Sequence, residues 1–306
     1  MSAIEVNNFK KKYDETEAVK GISLTVEDGE LFGLIGPDGA GKTTLMRAIC
    51  TLLVPDEGSI LVRGMDVTKN ITDIRAILGY MPQRFSLYHD LTVTQNLRFF
   101  ADLFQVPTDE QEKRLIELYR FSRLKPFKDR LAGALSGGMK QKLALSCALI
   151  HTPDILVLDE PTFGVDPVSR DEFWQILHNI RDQGTTILVS TAYMDEANQC
   201  DRVALFFDGK IQSINNPDTL RAQFKYPLFQ IQAQNMNQII TLFKSLTDVH
   251  TIQKFGDTLH ISFKKLPDES QWHNWQRQAE GNLLAWEQID PSIEDIFLEH
   301  MESANE

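Results

Sequence analysis

The chain has 306 residues, of which 42% are hydrophobic and 24% are charged, and this composition is typical of globular proteins with a packed core. Its formal net charge of -12 argues against a nucleic-acid surface, because contacts to phosphates need clustered lysines and arginines. No apolar run approaches the roughly 18 residues of a membrane-spanning helix, and the N-terminus lacks the apolar segment of a signal peptide.

The first two predicted elements are alternating strands, IEVNNFKKKY and AVKGISLTVEDGE, which end in turn residues. They predict an antiparallel β subdomain ahead of the core. Four short apolar strands follow at 31–35, 155–158, 186–189 and 203–207, interleaved with helix-like stretches. This alternation is typical of an α/β fold built on a parallel sheet.

A helical insertion is predicted between Gln83 and Leu149, where the strand pattern stops. Within the stretch 94–104, apolar side chains recur at positions i, i+3, i+4 and i+7, as they do on one face of a helix. Two more helical stretches follow. We therefore expect residues from about 84 to 148 to form a helical insertion.

A second domain is predicted after Phe224, where the pattern changes to strand, helix, one or two strands, helix, strand and helix. We expect a small accessory α+β domain at 225–306, after a first domain at 1–222. The accessory segment carries no phosphate-binding loop and no acidic strand. We therefore expect the accessory domain to have a regulatory or stabilising role, and no catalytic one.

The segment GPDGAGKTT follows the apolar strand LFGLI and precedes a helix-like stretch, which is the context of a phosphate-binding loop. Its glycines let backbone N–H groups approach the phosphates without a Cβ in the way. Lys42 would neutralise β- and γ-phosphate charge, and Thr43 would offer its hydroxyl to Mg²⁺. The predicted nucleotide-binding residues are Gly36, Pro37, Asp38, Gly39, Ala40, Gly41, Lys42, Thr43 and Thr44.

An acidic pair, Asp159 and Glu160, ends the apolar strand in DILVLDEPT. Open α/β sheets bind ligands at the carboxyl ends of their parallel strands. Asp159 would hold the Mg²⁺ shell, and Glu160 would polarise a water for in-line attack on the γ-phosphate. Such a pair also fits turn capping, but the phosphate loop upstream favours a catalytic pair.

A second anion-binding segment opens ALSGGMKQKLALSCALI, where Ser136, Gly137 and Gly138 precede a helix. One nucleotide does not readily need two such segments from one chain. Together with the phosphate loop, ILVLDEP and GYMPQ, the LSGGM segment resembles the ATP-binding subunits of ABC transporters over residues 3 to about 215.

The resemblance implies roles for matching residues. Tyr13 matches the aromatic that stacks on adenine, and Gln83 matches the glutamine that touches Mg²⁺ beside Thr43 and Asp159. Ser136 to Gly138 match the signature that closes over ATP bound by an opposite subunit, and Asp166 matches a loop that crosses the dimer interface. The implied unit is a head-to-tail homo- or heterodimer around two ATP molecules, each with Mg²⁺.

The strings LGYMPQRFSLYHDLTVTQNL, STAYMDEA and PSIEDIFLEHM look like subunits that serve ABC-2 type permeases, and GPDGAGKTT with PTFGVDPVSRDEFW resembles the first ATPase half of bacterial multidrug exporters. The implied partners are an ABC-2 type permease and a second ATP-binding subunit. The implied location is cytoplasmic, on the inner face of the cell membrane through the permease. Three scattered cysteines without CxxC spacing fit a reducing compartment.

Ala192 follows Ser-Thr at the end of a strand, where the family usually has a histidine that hydrogen-bonds the γ-phosphate. Its methyl group predicts an ATP site with weakened turnover, unless another group or a water substitutes. Alternatives are a largely non-hydrolytic regulatory subunit and a soluble non-transport ABC ATPase. A P-loop kinase or GTPase is disfavoured, because LSGG is present and no N-K-x-D motif occurs.

Five apolar residues around the insertion are candidates for the surface that docks a cytoplasmic helix of the permease. The alternative is that these side chains only form part of the core of the helical insertion. They are Phe85, Leu87, Tyr88, Phe99 and Leu103.

Overall fold

The computed structural model describes residues 2–84 and 87–303. The chain divides into two compact units between Asn215 and Asn216. The sequence placed the boundary at 222–227, but the helix Pro217–Gln223 belongs to the second unit. Asn216 caps this helix, so the second unit begins before the change in pattern at Phe224.

The first unit contains ten strands and six α-helices among the described residues. The strands are β1 (Ser2–Tyr13), β2 (Thr16–Glu27), β3 (Leu31–Ile35), β4 (Glu57–Val62), β5 (Met65–Asp66), β6 (Leu78–Met81), β7 (Ile155–Asp159), β8 (Thr186–Thr191), β9 (Arg202–Phe207) and β10 (Lys210–Asn215). The helices are α1 (Lys42–Ile49), α2 (Ile71–Ile77), α3 (Val93–Leu103), α4 (Thr108–Ser122), α5 (Gly137–Leu149) and α6 (Pro167–Asp182).

Two sheets form the frame of this unit. An antiparallel sheet has the order β2-β1-β4-β5, and a six-stranded sheet has the order β10-β9-β3-β8-β7-β6 with only β10 antiparallel. Every residue of β3, β7 and β8 is buried, as expected of parallel strands covered on both faces. The predicted antiparallel subdomain and parallel core are therefore confirmed.

The register of the central strands determines where the site can form. Ile35 of β3 lies beside Thr191 of β8, and Asp159 of β7 lies beside Ser190. The carboxyl ends of three neighbouring strands thus meet at one edge of the sheet. Open α/β sheets bind their ligands at this edge.

The predicted helical insertion is confirmed as α3, α4 and α5. Helix α3 begins with a capping box between Thr92 and Gln95, in which each side chain hydrogen-bonds the other's backbone N–H. The three helices pack around their own core, which includes Leu97, Leu115 and Leu143. No helix among the described residues is long and apolar enough to cross a bilayer.

The second unit combines four α-helices with four strands among the described residues. Its elements are α7 (Pro217–Gln223), β11 (Leu228–Ala233), α8 (Met236–Lys244), β12 (Val249–Phe255), β13 (Thr258–Phe263), α9 (Glu269–Gln278), β14 (Leu283–Gln288) and α10 (Ile293–Ser303). The sheet order β12-β13-β11-β14 is antiparallel throughout, which is the split β-α-β arrangement of ferredoxin-like domains. Its core includes Phe243, Phe263 and Trp272.

We predict that a fragment of residues 1–215 folds and binds ATP as tightly as the whole chain. The division at Asn215 leaves β3, α1 and β7 in one compact unit, and we expect every nucleotide contact to come from that unit. Titration with a fluorescent ATP analogue should give dissociation constants within about threefold of each other, a difference of under 1 kcal/mol. A folded fragment, checked by circular dichroism, that bound no analogue would contradict the assignment.

Candidate nucleotide site

The phosphate loop runs from the end of β3 to the start of α1, and its glycines are required by close contacts. A Cβ on Gly36 would lie 2.0 Å from the carbonyl oxygen of Phe206. Gly41 has φ +109, and a Cβ there would lie 2.4 Å from the carbonyl oxygen of Ala18. Larger residues at either position would displace the backbone on which the loop rests.

The loop borders a cavity of about 220 Å³. Gly36 and Pro37 lie at its start but do not line the cavity. The lining residues are Ala18, Asp38, Gly39, Ala40, Gly41, Lys42, Thr43, Thr44, Gln83 and Glu160. The structure thus brings most of the predicted loop together with Gln83 and one member of the acidic pair.

Lys42 places a buried positive charge inside the loop. Its Nζ donates to the carbonyl oxygens of Gly36 at 2.6 Å and Pro37 at 3.0 Å. The same atom lies 3.3 Å from Oε1 of Glu160. An ammonium group in this position can neutralise phosphate charge, because the low local dielectric strengthens the interaction.

Asp159 has the donor set expected of a Mg²⁺ ligand. Its Oδ1 accepts hydrogen bonds from Thr43 Oγ1 at 3.1 Å and Ser190 Oγ at 2.7 Å. Its Oδ2 is buried and has no hydrogen-bond partner among the described residues. A buried, unpaired carboxylate oxygen is costly, and hard cations such as Mg²⁺ prefer oxygen ligands. The residues therefore fit the ion.

Glu160 has a strained backbone. Its φ is +48, a left-handed conformation that costs of order 1–3 kcal/mol for such a residue and often marks functional sites. Gln83 Nε2 donates to Oε2 of Glu160 at 2.7 Å. The backbone N–H of Glu160 donates to Ser190 Oγ at 3.0 Å. Gln83 and Lys42 thus hold the buried carboxylate at the cavity wall, and Ser190 holds the backbone of the same residue.

Ala192 follows directly after β8, beside the phosphate loop. The carbonyl oxygen of Thr191 accepts from the backbone N–H of Gly36 at 3.2 Å. The backbone N–H of Tyr193 donates to Thr191 Oγ1 at 3.0 Å, so both neighbours of Ala192 are fixed. The side chain between them is a methyl group, which donates no hydrogen bond.

The predicted second anion-binding segment does not line the phosphate cavity. Ser136 caps α5 by accepting from the backbone N–H of Met139 at 3.4 Å. A Cβ on Gly138 would lie 2.7 Å from the side chain of Ser169, so the segment packs against α6. Ser136 and Gly137 are exposed.

Asp166 and Tyr13 also lie outside the cavity. Asp166 caps α6, and the hydrogen bond from the Ser169 backbone N–H at 3.0 Å lowers the pKa of its carboxyl group. Tyr13 ends β1 with 43% of its surface exposed. The Nζ of Lys11 lies 5.9 Å from the Tyr13 ring centroid.

Two contributors were missed by sequence reasoning. Ser190 bonds both acidic residues, and Ala18 contributes to the cavity through β2. The polar end of β8 in ILVST was a signal for Ser190, because a buried strand seldom ends in hydroxyl groups without a partner for them. No local pattern distinguishes Ala18 from any other small strand residue.

Comparisons with known proteins point to one family. The family described as ABC transporter matches residues 19–163. The chain is 48% identical over 302 residues to the "Probable multidrug ABC transporter ATP-binding protein YbhF" of Escherichia coli (strain K12), covering 97% of this chain and 52% of that protein. The chain thus spans about half the length of that relative.

Two further comparisons cover nearly the whole of the related protein. The "Nod factor export ATP-binding protein I" of Rhizobium sp. (strain N33) is 35% identical, over 97% of this chain and 96% of its own length. A solved dimeric structure, described as the post-hydrolysis state of an ATP-binding cassette bound to ADP and Pi, has a TM-score of 0.63 and 26% identity. It covers 70% of this chain and 98% of its own.

We predict that Lys42→Ala weakens the binding of Mg·ATP about 10- to 100-fold, since a charge-assisted hydrogen bond is worth about 1.5–3 kcal/mol. The measurement is a titration with a fluorescent ATP analogue. Lys210→Ala, which removes an exposed lysine of the same unit, is the matched control. Equal affinity of the folded Lys42 variant and the unmodified chain would refute the assignment of the loop.

Proposed function

Because the chain belongs to the ATP-binding proteins of ABC transporters, we propose that it binds and hydrolyses Mg·ATP to power a membrane exporter. The observation that carries this proposal is the single cavity wall shared by Lys42, Thr43, Gln83 and Glu160. One relative is named as a multidrug transporter protein and another as a Nod factor export protein, and the second name supports export as the direction of transport.

Binding would begin with the phosphate loop, whose backbone N–H groups surround the phosphates. Lys42 would neutralise charge on the β- and γ-phosphates, and Thr43, Asp159 and Gln83 would hold Mg²⁺. The bound ion supplies positive charge for the developing phosphoryl transition state. Glu160 then orients and polarises the attacking water, since its carboxylate lies at the cavity wall.

The second anion-binding segment supports a dimer. Ser136 and Gly137 are exposed away from the chain's own cavity, so they serve a nucleotide held by another subunit. Phe163 and Val168 flank Asp166 with 56% and 71% of their surfaces exposed, which suits an interface more than a free surface. Two chains, identical or different, would enclose two ATP molecules head to tail.

The partner in the membrane would be an ABC-2 type permease, docked on the cytoplasmic side. Tyr88 and Leu103 are 47% and 59% exposed, and the rings of Tyr88 and Phe99 lie 4.6 Å apart edge to face. These exposed apolar groups offer a surface for a permease helix. Leu87 is buried, and Phe85 lies outside the described residues.

The site built on this chain would turn ATP over slowly, because Ala192 provides no donor to the γ-phosphate. Loss of one positioned donor to developing charge typically costs about 10²–10³ in rate. The partner's site, completed by Ser136 of this chain, would carry most of the turnover. A largely non-hydrolytic regulatory subunit is the extreme form of the same proposal, and a soluble non-transport ABC ATPase is the alternative without a permease.

We predict that Ala192→His raises ATP turnover by the purified chain by about 10-fold or more, by restoring a donor of the kind that is worth about 10²–10³ in rate. The steady-state release of phosphate is the measurement. The same substitution combined with Glu160→Gln should remain inactive, which separates a restored site from a contaminating ATPase. Brisk hydrolysis by the unmodified chain, abolished by Glu160→Gln alone, would contradict a weakened site.

We predict that charged substitutions at Tyr88 and Phe99 disrupt co-purification with the permease without changing affinity for ATP. A charge placed in an apolar contact must lose its hydration when the partner docks. Ile116→Glu is the matched control, because Ile116 is an exposed apolar residue of α4. Intact co-purification of folded Tyr88 and Phe99 variants would exclude this surface as the docking site.

A further inference from the structure

A buried polar network joins three segments behind the nucleotide site. Thr162 Oγ1 donates to Glu196 Oε2 at 3.1 Å, and both residues are almost fully buried. The other carboxylate oxygen of Glu196, Oε1, lies 3.6 Å from Nε of Arg170. The network thus connects the turn after β7, the start of α6 and the segment after β8.

Arg170 and Glu196 attract each other without a direct hydrogen bond. Arg170 Nε and Glu196 Oε1 are both buried and have no hydrogen-bond partner in the part of the chain that the structure describes. The guanidinium carbon lies 4.2 Å from the ring centroid of Tyr193, where a cation interacts with the face of the ring. Arg170 Nη1 also lies 3.8 Å from Oδ2 of Asp195, so charge attraction and the aromatic ring hold the guanidinium group, and no hydrogen bond to Glu196 does.

One end of the network reaches the chain's own phosphate site. Thr162 lies two residues after Glu160, and Phe163 N–H donates to the Glu160 carbonyl oxygen at 3.2 Å. Tyr193, which carries the stacked guanidinium, is tied to Thr191 at 3.0 Å. Thr191 in turn accepts from Gly36 of the phosphate loop. A displacement of the phosphate loop or of Glu160 would therefore displace the segments that carry Arg170 and Glu196.

The other end reaches the Ser136–Gly138 segment. The backbone N–H of Arg170 donates to the carbonyl oxygen of Asp166 at 2.9 Å in the first turn of α6. The next residue along the helix toward its start, Ser169, is the one that a Cβ on Gly138 would strike. A shift or rotation of the first turn of α6 at Arg170 would thus move the Ser169 side chain that packs against Gly138.

We infer that Arg170 and Glu196 are positioning residues that couple occupancy of the chain's own phosphate site to the conformation of the Ser136–Gly138 segment. This inference rests on the proposed function, in which that segment serves the nucleotide of a second subunit. Because the two groups come from different segments, a movement of either segment would change the distance between the two charges. The Arg170–Glu196 pair therefore links the ATP bound by one chain to the surface that the same chain presents to the second subunit.

Amide hydrogen exchange tests this coupling without requiring hydrolysis or dimerisation. The full chain is studied with and without Mg·ATP, at a concentration where sedimentation shows a monomer. In the unmodified chain, Mg·ATP should slow exchange in the phosphate loop and change exchange at 136–140 by about fivefold or more, the lower end of measured coupling factors. Glu196→Gln and Arg170→Met should still show slower exchange in the phosphate loop. In both variants the change in exchange at 136–140 should fall to under about twofold.

The controls separate coupling from general destabilisation. Arg181→Met removes an arginine of the same helix that pairs with Asp201, and it should leave both effects unchanged. Arg170→Lys, which keeps the charge, should restore part of the change at 136–140. The double variant should behave like either single variant, because members of one network are not additive.

Three results would overturn the inference. The first is an unmodified chain that protects its phosphate loop but shows no change at 136–140. The second is a pair of variants that transmit the change as the unmodified chain does. The third is the absence of any protection in the phosphate loop of the unmodified chain, which would refute the proposed function as well. If Glu196→Gln does not fold, the exchange result for Arg170→Met, at the partly exposed end of the pair, tests the inference by itself.

Discussion

The hydroxyl group of Ser190 is the contact on which the arrangement of the site depends. It donates to Oδ1 of Asp159 and accepts from the backbone N–H of Glu160, so one buried oxygen fixes both acids. The parallel pairing of Asp159 with Ser190 brings it there. Because the strand register places it, a one-residue slip of β8 would turn the hydroxyl to the opposite face of the sheet.

The rest of the site is arranged around this contact. Once Glu160 is held by its backbone, its carboxylate can take a donor from Gln83 and face Lys42. Asp159 is held through Oδ1, and its Oδ2 has no hydrogen-bond partner among the described residues. Residues from four separate segments thus converge because the carboxyl ends of adjacent strands coincide, which is the general reason that open α/β sheets carry their ligands there.

Much of this could be predicted from sequence, because the signals are local. The glycines, the lysine and the acidic pair lie within short segments, and the strand β3 has the predicted bounds, 31–35. The contacts of Ser190, Lys42 with Glu160, and Arg170 with Glu196 could not be predicted, since each joins residues far apart in the chain. Such pairings depend on register and helix placement, and single-sequence periodicity reports neither.

The domain boundary shows the same limit. The pattern change at Phe224 correctly marks a new strand pattern, but α7 precedes it and belongs to the second unit. A short helix with few apolar residues carries no periodic signal about which core it joins. The contacts of α7 with α10 assign it to the second unit.

The left-handed backbone of Glu160 has a consequence for how this protein can change. Glycine or asparagine would fit that conformation with less strain, but either would leave the buried ammonium group of Lys42 without its carboxylate partner. The strain that would be relieved, about 1–3 kcal/mol, is smaller than the roughly 3–5 kcal/mol that is typically lost when one partner of a buried ion pair is removed. The strained backbone is therefore compatible with a stable fold, because the ion pair with Lys42 and the hydrogen bond from Gln83 stabilise the acid at this position.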